Sequence, residues 1–320
     1  MLRTLAWTGG TALVLCLAPL FFSYGFFMDV TSHFLIMGLF AVSLNLLIGY
    51  TGMISLGHSA FFGIGAYTLG VLLQKTALPF PVVIGATICF SALAALIIGF
   101  FCIRLGELYF AMLTLAFGQV VYGAIIKWVS LTGGDQGLVG GIPRPHINLS
   151  FMFWDINVPE NFYVLTVLVV MASMFICKVL VDSPFGAILK AIRENPERVY
   201  YAGLNVRRYQ LVVFIIAGIF AGISGGLMAM YVSGAYPDFA YWSKSAEPIF
   251  MVVVGGVNTF AGPLVGAAFL ILLVSYLTTF TNLWALAFGT ILVIFAVVIR
   301  RGVADIVMET KLARKLFPLR

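Results

Sequence analysis

Charge is what this sequence has least of. Asp, Glu, Lys and Arg together make up 9% of its 320 residues, while hydrophobic residues make up 62% and mean hydropathy is +1.08. Soluble domains carry about 25% charged residues, so a water-facing surface cannot be assembled from this chain. The net charge of +6 comes mainly from loops that sort to one side of a membrane, and it reports orientation rather than nucleic-acid binding.

Further absences remove whole classes of function. No G-x-x-x-x-G-K-[ST] occurs, so the chain binds no nucleotide through a P-loop and no cofactor is expected on it. Cys16, Cys89, Cys102 and Cys177 all lie in apolar runs without C-x-x-C spacing or a nearby His, so no metal site is expected and the thiols read as small buried hydrophobes. No Ser/His/Asp or paired-carboxylate arrangement is available to a membrane enzyme such as a lipid-modifying one. The deep parts of the apolar segments lack Asp and Glu, with Glu107 and Glu247 at segment ends. A proton-driven carrier retains an embedded carboxylate despite its cost, so energy is expected from outside the chain. Sodium held by backbone carbonyls escapes that argument and keeps a stand-alone secondary carrier or channel as an alternative.

What the chain has is long apolar runs. A spanning helix takes about 20 apolar residues, which predicts an all-α polytopic protein with about ten transmembrane segments. They fall at 5–27, 33–50, 53–73, 80–103, 108–126, 161–181, 211–232, 247–257, 261–279 and 284–299, with a tight connection near Tyr50-Thr51-Gly52. The 247–257 segment is short and broken by Gly255-Gly256. The first 27 residues carry one Arg and no small-x-small cleavage site, and read as a retained span. The transmembrane domain extends over 1–301, with an external loop at 128–160, and residues 302–320 form a basic tail on the inner lipid surface. With both termini inside, Lys75, Lys127, Arg144 and Lys244 fall outside and the other Lys and Arg fall inside, as the positive-inside rule requires.

Three stretches depart from smooth apolar helix. Residues 182–210 form a polar break, DSPFGAILKAIRENPERVYYAGLNVRRYQ, that reads as two short helices. Ser183 is placed as an N-cap, Pro184 as the first helical residue, and Phe185, Ile188, Leu189 and Ile192 line one apolar face. Asn195-Pro196 stops the first helix and starts the second, which Gly203 ends. Such a pair docks a partner, or lies on lipid headgroups. The other two stretches are GYTGMISLGHSAFFGIGAYTLG at 49–70 and VGGVNTFAGPLVGAA at 254–268. Interrupted apolar segments in corresponding places of two halves point to a substrate path, and close helix packing is the competing explanation. The path candidates are Asn45, Thr51, Gly52, Ser55, His58, Gly255, Gly256, Asn258 and Thr259. His58 is expected in mid-span, and a lone His there is more often a satisfied packing group than a metal ligand. Asn45 reads by default as helix–helix glue, and Gly218, Gly222 and Gly226 form a packing ridge.

GYTGMISLGHSAFFGIGAY, TGGDQGLVGGIP, AIRENPERVYYAGL and VVGGVNTFAGPLVGA, in that order along the chain, resemble the M-type inner-membrane permeases of high-affinity branched-chain amino acid ABC importers. The chain departs from the family's pattern in an extra glycine near Gly140-Gly141 and in Tyr200-Tyr201, where small residues are more usual. The resemblance implies half of a heterodimeric channel in a bacterial inner membrane. A second permease subunit, two cytoplasmic ATPase subunits carrying ATP and Mg, and a periplasmic substrate-binding protein would complete it. The 182–210 pair would then be a coupling element, with its apolar face on the permease or in an ATPase groove, and Arg193, Glu194 and Asn195 at the contact. Relatives of the same pattern carry urea, short amides or aromatic acids, so the solute stays open at this level.

Overall fold

The computed structural model describes residues 25–298, apart from 77, 139–140, 145, 150–151 and 281–282, together with 302 and 304. The expected first span lies outside the described residues except for its last three. The basic tail lies outside them except for Gly302 and Ala304.

The described chain is helical apart from one small hairpin. The helices are α1 (Gly25–Thr51), α2 (Ser59–Lys75), α3 (Phe80–Cys102), α4 (Glu107–Lys127), α5 (Val129–Thr132), α6 (Pro159–Asp182), α7 (Pro184–Glu194), α8 (Pro196–Tyr201), α9 (Val206–Val232), α10 (Trp242–Gly255), α11 (Gly262–Phe280) and α12 (Trp284–Val298). In the expected external loop, β1 (His146–Leu149) pairs antiparallel with β2 (Met152–Asp155), setting His146 opposite Asp155. Six described helices are long and apolar enough to cross a membrane: α1, α3, α4, α6, α9 and α11. The shorter α2, α10 and α12 have 17, 14 and 15 residues.

Two boundaries differ from expectation. The helix does not pause near Asp29: α1 runs unbroken from Gly25 through that residue to Thr51, since a single carboxylate in the first turns does not end a helix. The tight connection at 50–52 is instead a longer non-helical segment over 52–58, opened by Gly52 at φ 77°. The left-handed conformation is open to glycine, and it stops α1 without strain.

Burial separates centre from periphery. In α1, 89% of the most apolar window is buried, against 33% in α3 and 28% in α4. An all-round apolar helix is stable only inside protein or lipid, and α1 takes the first place, enclosed by α6, α9, α10 and α11. On α3, Phe90, Leu93, Ile97 and Phe101 are exposed, as a lipid-facing stripe requires. Hydroxyls within the helices are satisfied locally: Thr87 donates to Val83 O (2.9 Å) and Thr166 to Phe162 O (2.9 Å).

Contact between α2, α3 and α9 rests on missing side chains. A Cβ on Gly65 of α2 would strike the backbone of Gly222 on α9, and one on Gly225 would strike the carbonyl of Phe62. Gly218 and Gly222 face Ala95 and Ser91 of α3. The predicted glycine ridge is therefore a packing face, one that lets backbones approach where lipid supplies no hydrophobic drive between helices. Ser224 adds a bond across the contact, donating to Ile36 O on α1 at 2.6 Å.

Gly65→Ala is expected to destabilise the purified protein by about 1–3 kcal/mol, because the atom it meets is backbone and cannot rotate away. Gly123→Ala, where nothing lies within 4 Å, is expected to leave stability unchanged. Thermal unfolding in detergent distinguishes the two, and equal melting temperatures would refute the packing account.

Candidate functional site

The polar break folds as two helices. Ser183 occupies the N-cap of α7, but its hydroxyl turns back to donate to Leu180 O of α6 (2.6 Å), so the expected side-chain cap is not made. Gly186 lies against the backbone of Val181, which folds α7 tightly under α6. The apolar face points into the protein: Leu189 and Ile192 are fully buried, Phe185 and Ile188 half-buried, and Phe185 packs on Tyr209 with ring centroids 5.6 Å apart. That face is used by the chain itself and is not free for another protein.

The α7–α8 turn is closely specified. Asn195 caps α8 by accepting from the Arg198 amide at 2.9 Å, with Pro196 in the first helical position. At the far end Gly203 takes φ 85°. Its amide donates to Tyr200 O (3.0 Å) and that of Leu204 to Val199 O (3.3 Å), the paired bonds of a Schellman ending. Glu194, Asn195, Pro196, Glu197 and Arg198 are exposed, as are Tyr200 (67%) and Tyr201 (84%).

Arg193 joins this turn to both interrupted stretches. Its Nη1 donates to Gly49 O at the end of α1 (2.6 Å), and its Nη2 to Asn258 Oδ1 between α10 and α11 (3.2 Å). Its stem crosses Gly52, with Cγ 3.5 Å from where a Cβ would stand. Lys190 adds a cation over the Tyr50 ring at 5.5 Å. Sequence alone assigned Arg193 to an intersubunit contact. In the structure Arg193 remains exposed while its guanidinium bonds the Gly49 carbonyl and the Asn258 side chain.

From Gly52 the chain climbs back along α1. Ser43 lies eight residues before Thr51, about 12 Å up the helix. His58 Nε2 is 2.9 Å from Ser43 Oγ, which itself donates to Phe40 O at 2.7 Å. The hydroxyl proton is thus committed, so His58 Nε2 is the donor and the Nδ1 lone pair faces inward. His58 stands at the N-cap position of α2 without a side-chain capping bond, and α2 begins partway through the bundle. Leu56 N donates to Thr114 Oγ1 of α4 (3.2 Å), and Gly57 lies against the Thr114 backbone. Non-helical backbone at this depth is tolerable because protein covers it. Asn45 Oδ1, Ser55 Oγ, His58 Nδ1 and Thr259 Oγ1 are buried without a hydrogen-bond partner among the described residues. Thr51 is satisfied by its own helix, donating to Leu47 O at 2.7 Å.

The start of α2 is also tied to the first turn of α10 and the residues before it. Ser59 N donates to Ser245 Oγ of α10 (2.8 Å), Ser245 Oγ donates to Ser59 Oγ (2.8 Å), and Ser59 Oγ donates to Ala240 O (3.2 Å). The other break follows Gly255, where Gly256 takes φ 121° and Gly255 abuts the carbonyl of Gly262. The expected short segment at 247–257 is the end of α10 plus this turn. Sequence reasoning missed Gly49 as an acceptor. It also missed Lys244, Glu247 and His33, which line a cavity of about 520 Å3 at the other end of the bundle.

Residues 26–297 match the family model described as the permease component of branched-chain amino acid transport systems. The chain is 28% identical over 289 residues, 84% of its length, to the high-affinity branched-chain amino acid transport system permease protein LivM of Escherichia coli K12, of which 67% is covered. The LivM protein of Salmonella typhimurium is 28% identical over 84% of this chain and 68% of the relative. The autoinducer 2 import system permease protein LsrD of Photorhabdus temperata is 27% identical over 77% of this chain and 72% of the relative. No solved structure matches.

Asn195→Ala is expected to cost about 1 kcal/mol at the start of α8. Native-state hydrogen exchange of the Arg198 amide is expected to accelerate about fivefold, since 1.4 kcal/mol is a factor of ten. Unchanged exchange at Arg198 would show that the cap does not hold the turn.

Proposed function

Because the chain belongs to the permease-component family of branched-chain amino acid transport systems, we propose that it is one membrane subunit of an ATP-driven importer of aliphatic amino acids. A second permease pairs with it across the translocation path. A periplasmic binding protein delivers the solute, and two cytoplasmic ATPase subunits, holding ATP and Mg, supply the motion. The chain crosses the inner membrane about ten times, with α2, α10 and α12 among the crossings and both termini in the cytoplasm.

One observation carries this reading: Arg193 reaches from α7 to Gly49 O and Asn258 Oδ1. Coupling needs an exposed surface for the ATPase and a rigid link from that surface to the path. The exposed surface is the α7–α8 turn and α8, where Tyr200 and Tyr201 present two large aromatic side chains of the kind that anchor interfaces. The link is α7, its apolar face buried in the permease and its last turn bonded to both interrupted stretches. Closure of the ATPases on α8 then carries α7 as a rigid body and displaces residues 49–58 and 256–261 together. The path runs past the unpaired polar atoms of Asn45, Ser55, His58 and Thr259, with Thr51, Gly52, Gly255 and Gly256 shaping its backbone.

A second reading rests on the LsrD likeness: the same machinery importing autoinducer 2. Uptake of labelled leucine and of autoinducer 2 by vesicles holding the whole assembly decides between them.

In such vesicles Arg193→Glu is expected to cut solute uptake at least about tenfold while ATP hydrolysis continues, since charge-assisted hydrogen bonds to two acceptors are lost. Arg193→Lys, which retains the charge but cannot span both acceptors, is expected to fall between. Wild-type uptake by Arg193→Glu would refute the link.

A further inference from the structure

At the end of the bundle opposite α7, parts of α1, α9, α10, α11 and α12 enclose the cavity of about 520 Å3. His33 on its wall lies sixteen residues before Gly49, about 24 Å along α1 from the Arg193 contact. The volume falls within the range of small-molecule sites, about 300–1,000 Å3. Most of the wall is apolar, with Met37, Met251, Leu270, Ile271 and Val274 beside the aromatic rings of Phe250, Trp284 and Phe288. Against it stands one ion pair, Lys244 Nζ to Glu247 Oε2 at 2.7 Å, whose lysine side chain is only 15% exposed.

Helix stability does not account for this pair. Within a helix a cation is best placed near the C-terminus and an acid before a base; here Lys244 sits in the first turn of α10 and precedes Glu247. Both charges line the cavity, the Lys244 side chain 15% exposed and that of Glu247 46% exposed at its mouth. A few polar groups set against a mainly apolar concave wall are the usual make-up of a small-molecule site.

The chemistry of the pair selects its ligand. An α-amino acid carries an ammonium and a carboxylate on one carbon, and so presents the same two charges at close spacing. Docked head to tail, its carboxylate meets Lys244 and its ammonium meets Glu247, and every charge in the cavity keeps a partner. A solute with one charge would break the 2.7 Å bond and leave one member of the pair unmatched. A neutral solute offers nothing to exchange for the existing bond. We propose that this cavity is a binding site for zwitterionic α-amino acids with apolar side chains, with Lys244 and Glu247 holding the charged ends and the wall of Met37, Leu270 and Ile271 receiving the side chain. The proposal deepens the amino-acid import reading and rests on it.

The test uses the full chain in detergent with Ser275→Cys on the cavity wall and a membrane-impermeant maleimide, with the unsubstituted chain as background. Leucine at several times its dissociation constant is expected to slow labelling of the new thiol at least about fivefold. N-acetyl-leucine, which lacks the ammonium, and leucinamide, which lacks the carboxylate, are expected not to protect. Lys244→Gln and Glu247→Gln are each expected to abolish protection by leucine. Val274→Cys gives the same readout should Ser275→Cys assemble poorly. Labelling indifferent to leucine, or protection equally strong with the single-charge analogues, would overturn the proposal. ATP-driven leucine uptake by the assembled importer is scored separately. Uptake without protection removes the cavity and leaves the import reading, while protection without uptake supports the cavity and removes that reading.

Discussion

A carbonyl at the end of a buried helix has no water to turn to, and the chain meets this problem at Gly49. The last turn of α1 leaves acceptors pointing out of the helix just where Gly52 diverts the chain. Arg193 answers with a donor at 2.6 Å and places a positive charge at the negative end of the most buried helix in the bundle. Its second donor holds Asn258. A guanidinium suits the task because its donors fork in a fixed plane and stay protonated, whereas an ammonium is a single point of charge. One side chain thus ties α7 to the end of α1 and to the turn that follows α10.

Around that tie, contacts are of two kinds with different mechanical consequences. Where α2 and α9 cross, glycine brings backbone against backbone, and such packing tolerates little sliding. Residues 52–58 and 256–261 are held instead by a few hydrogen bonds and two left-handed glycines, with several polar atoms left unpaired. Both segments are nonetheless closely packed, Gly57 against the Thr114 backbone and Gly255 against the Gly262 carbonyl. The bundle therefore holds two covered interruptions of its helices, and Arg193 is bonded beside each.

Much of this was legible in the residues. Pro184, Asn195-Pro196 and Gly203 place the ends of α7 and α8, because each acts through local backbone geometry that needs no tertiary context. The glycine ridge on α9 was legible for the same reason, as a periodic absence of side chains. The bonding partners of Arg193 were not, since Gly49 is 144 residues away and no local pattern links the two. The position of His58 just before α2 was not legible, because apolar composition cannot show that 52–58 leaves the helix. Lys244 and Glu247 looked like residues at a segment end, and only the fold of α1, α11 and α12 around them makes a cavity. Ser183 was placed correctly at its cap position, but its hydroxyl had a second acceptor within reach that spacing rules do not see.

The two ends of the molecule are joined by α10. Its first turns carry Lys244 and Glu247, and three residues past its end lies Asn258, on which Arg193 acts. Fourteen residues of helix span about 21 Å, so one short rod connects the inner tie to the far cavity. Ser245 on the same rod is bonded to Ser59 at the start of α2, so the rod cannot tilt without moving the other interrupted segment. Pro248 lies between, where its missing N–H removes one rung of the ladder and gives the rod a defined place to bend. The same helix therefore carries the ion pair, the bond to α2 and, just past its end, the acceptor of Arg193, with its one weakened rung between them.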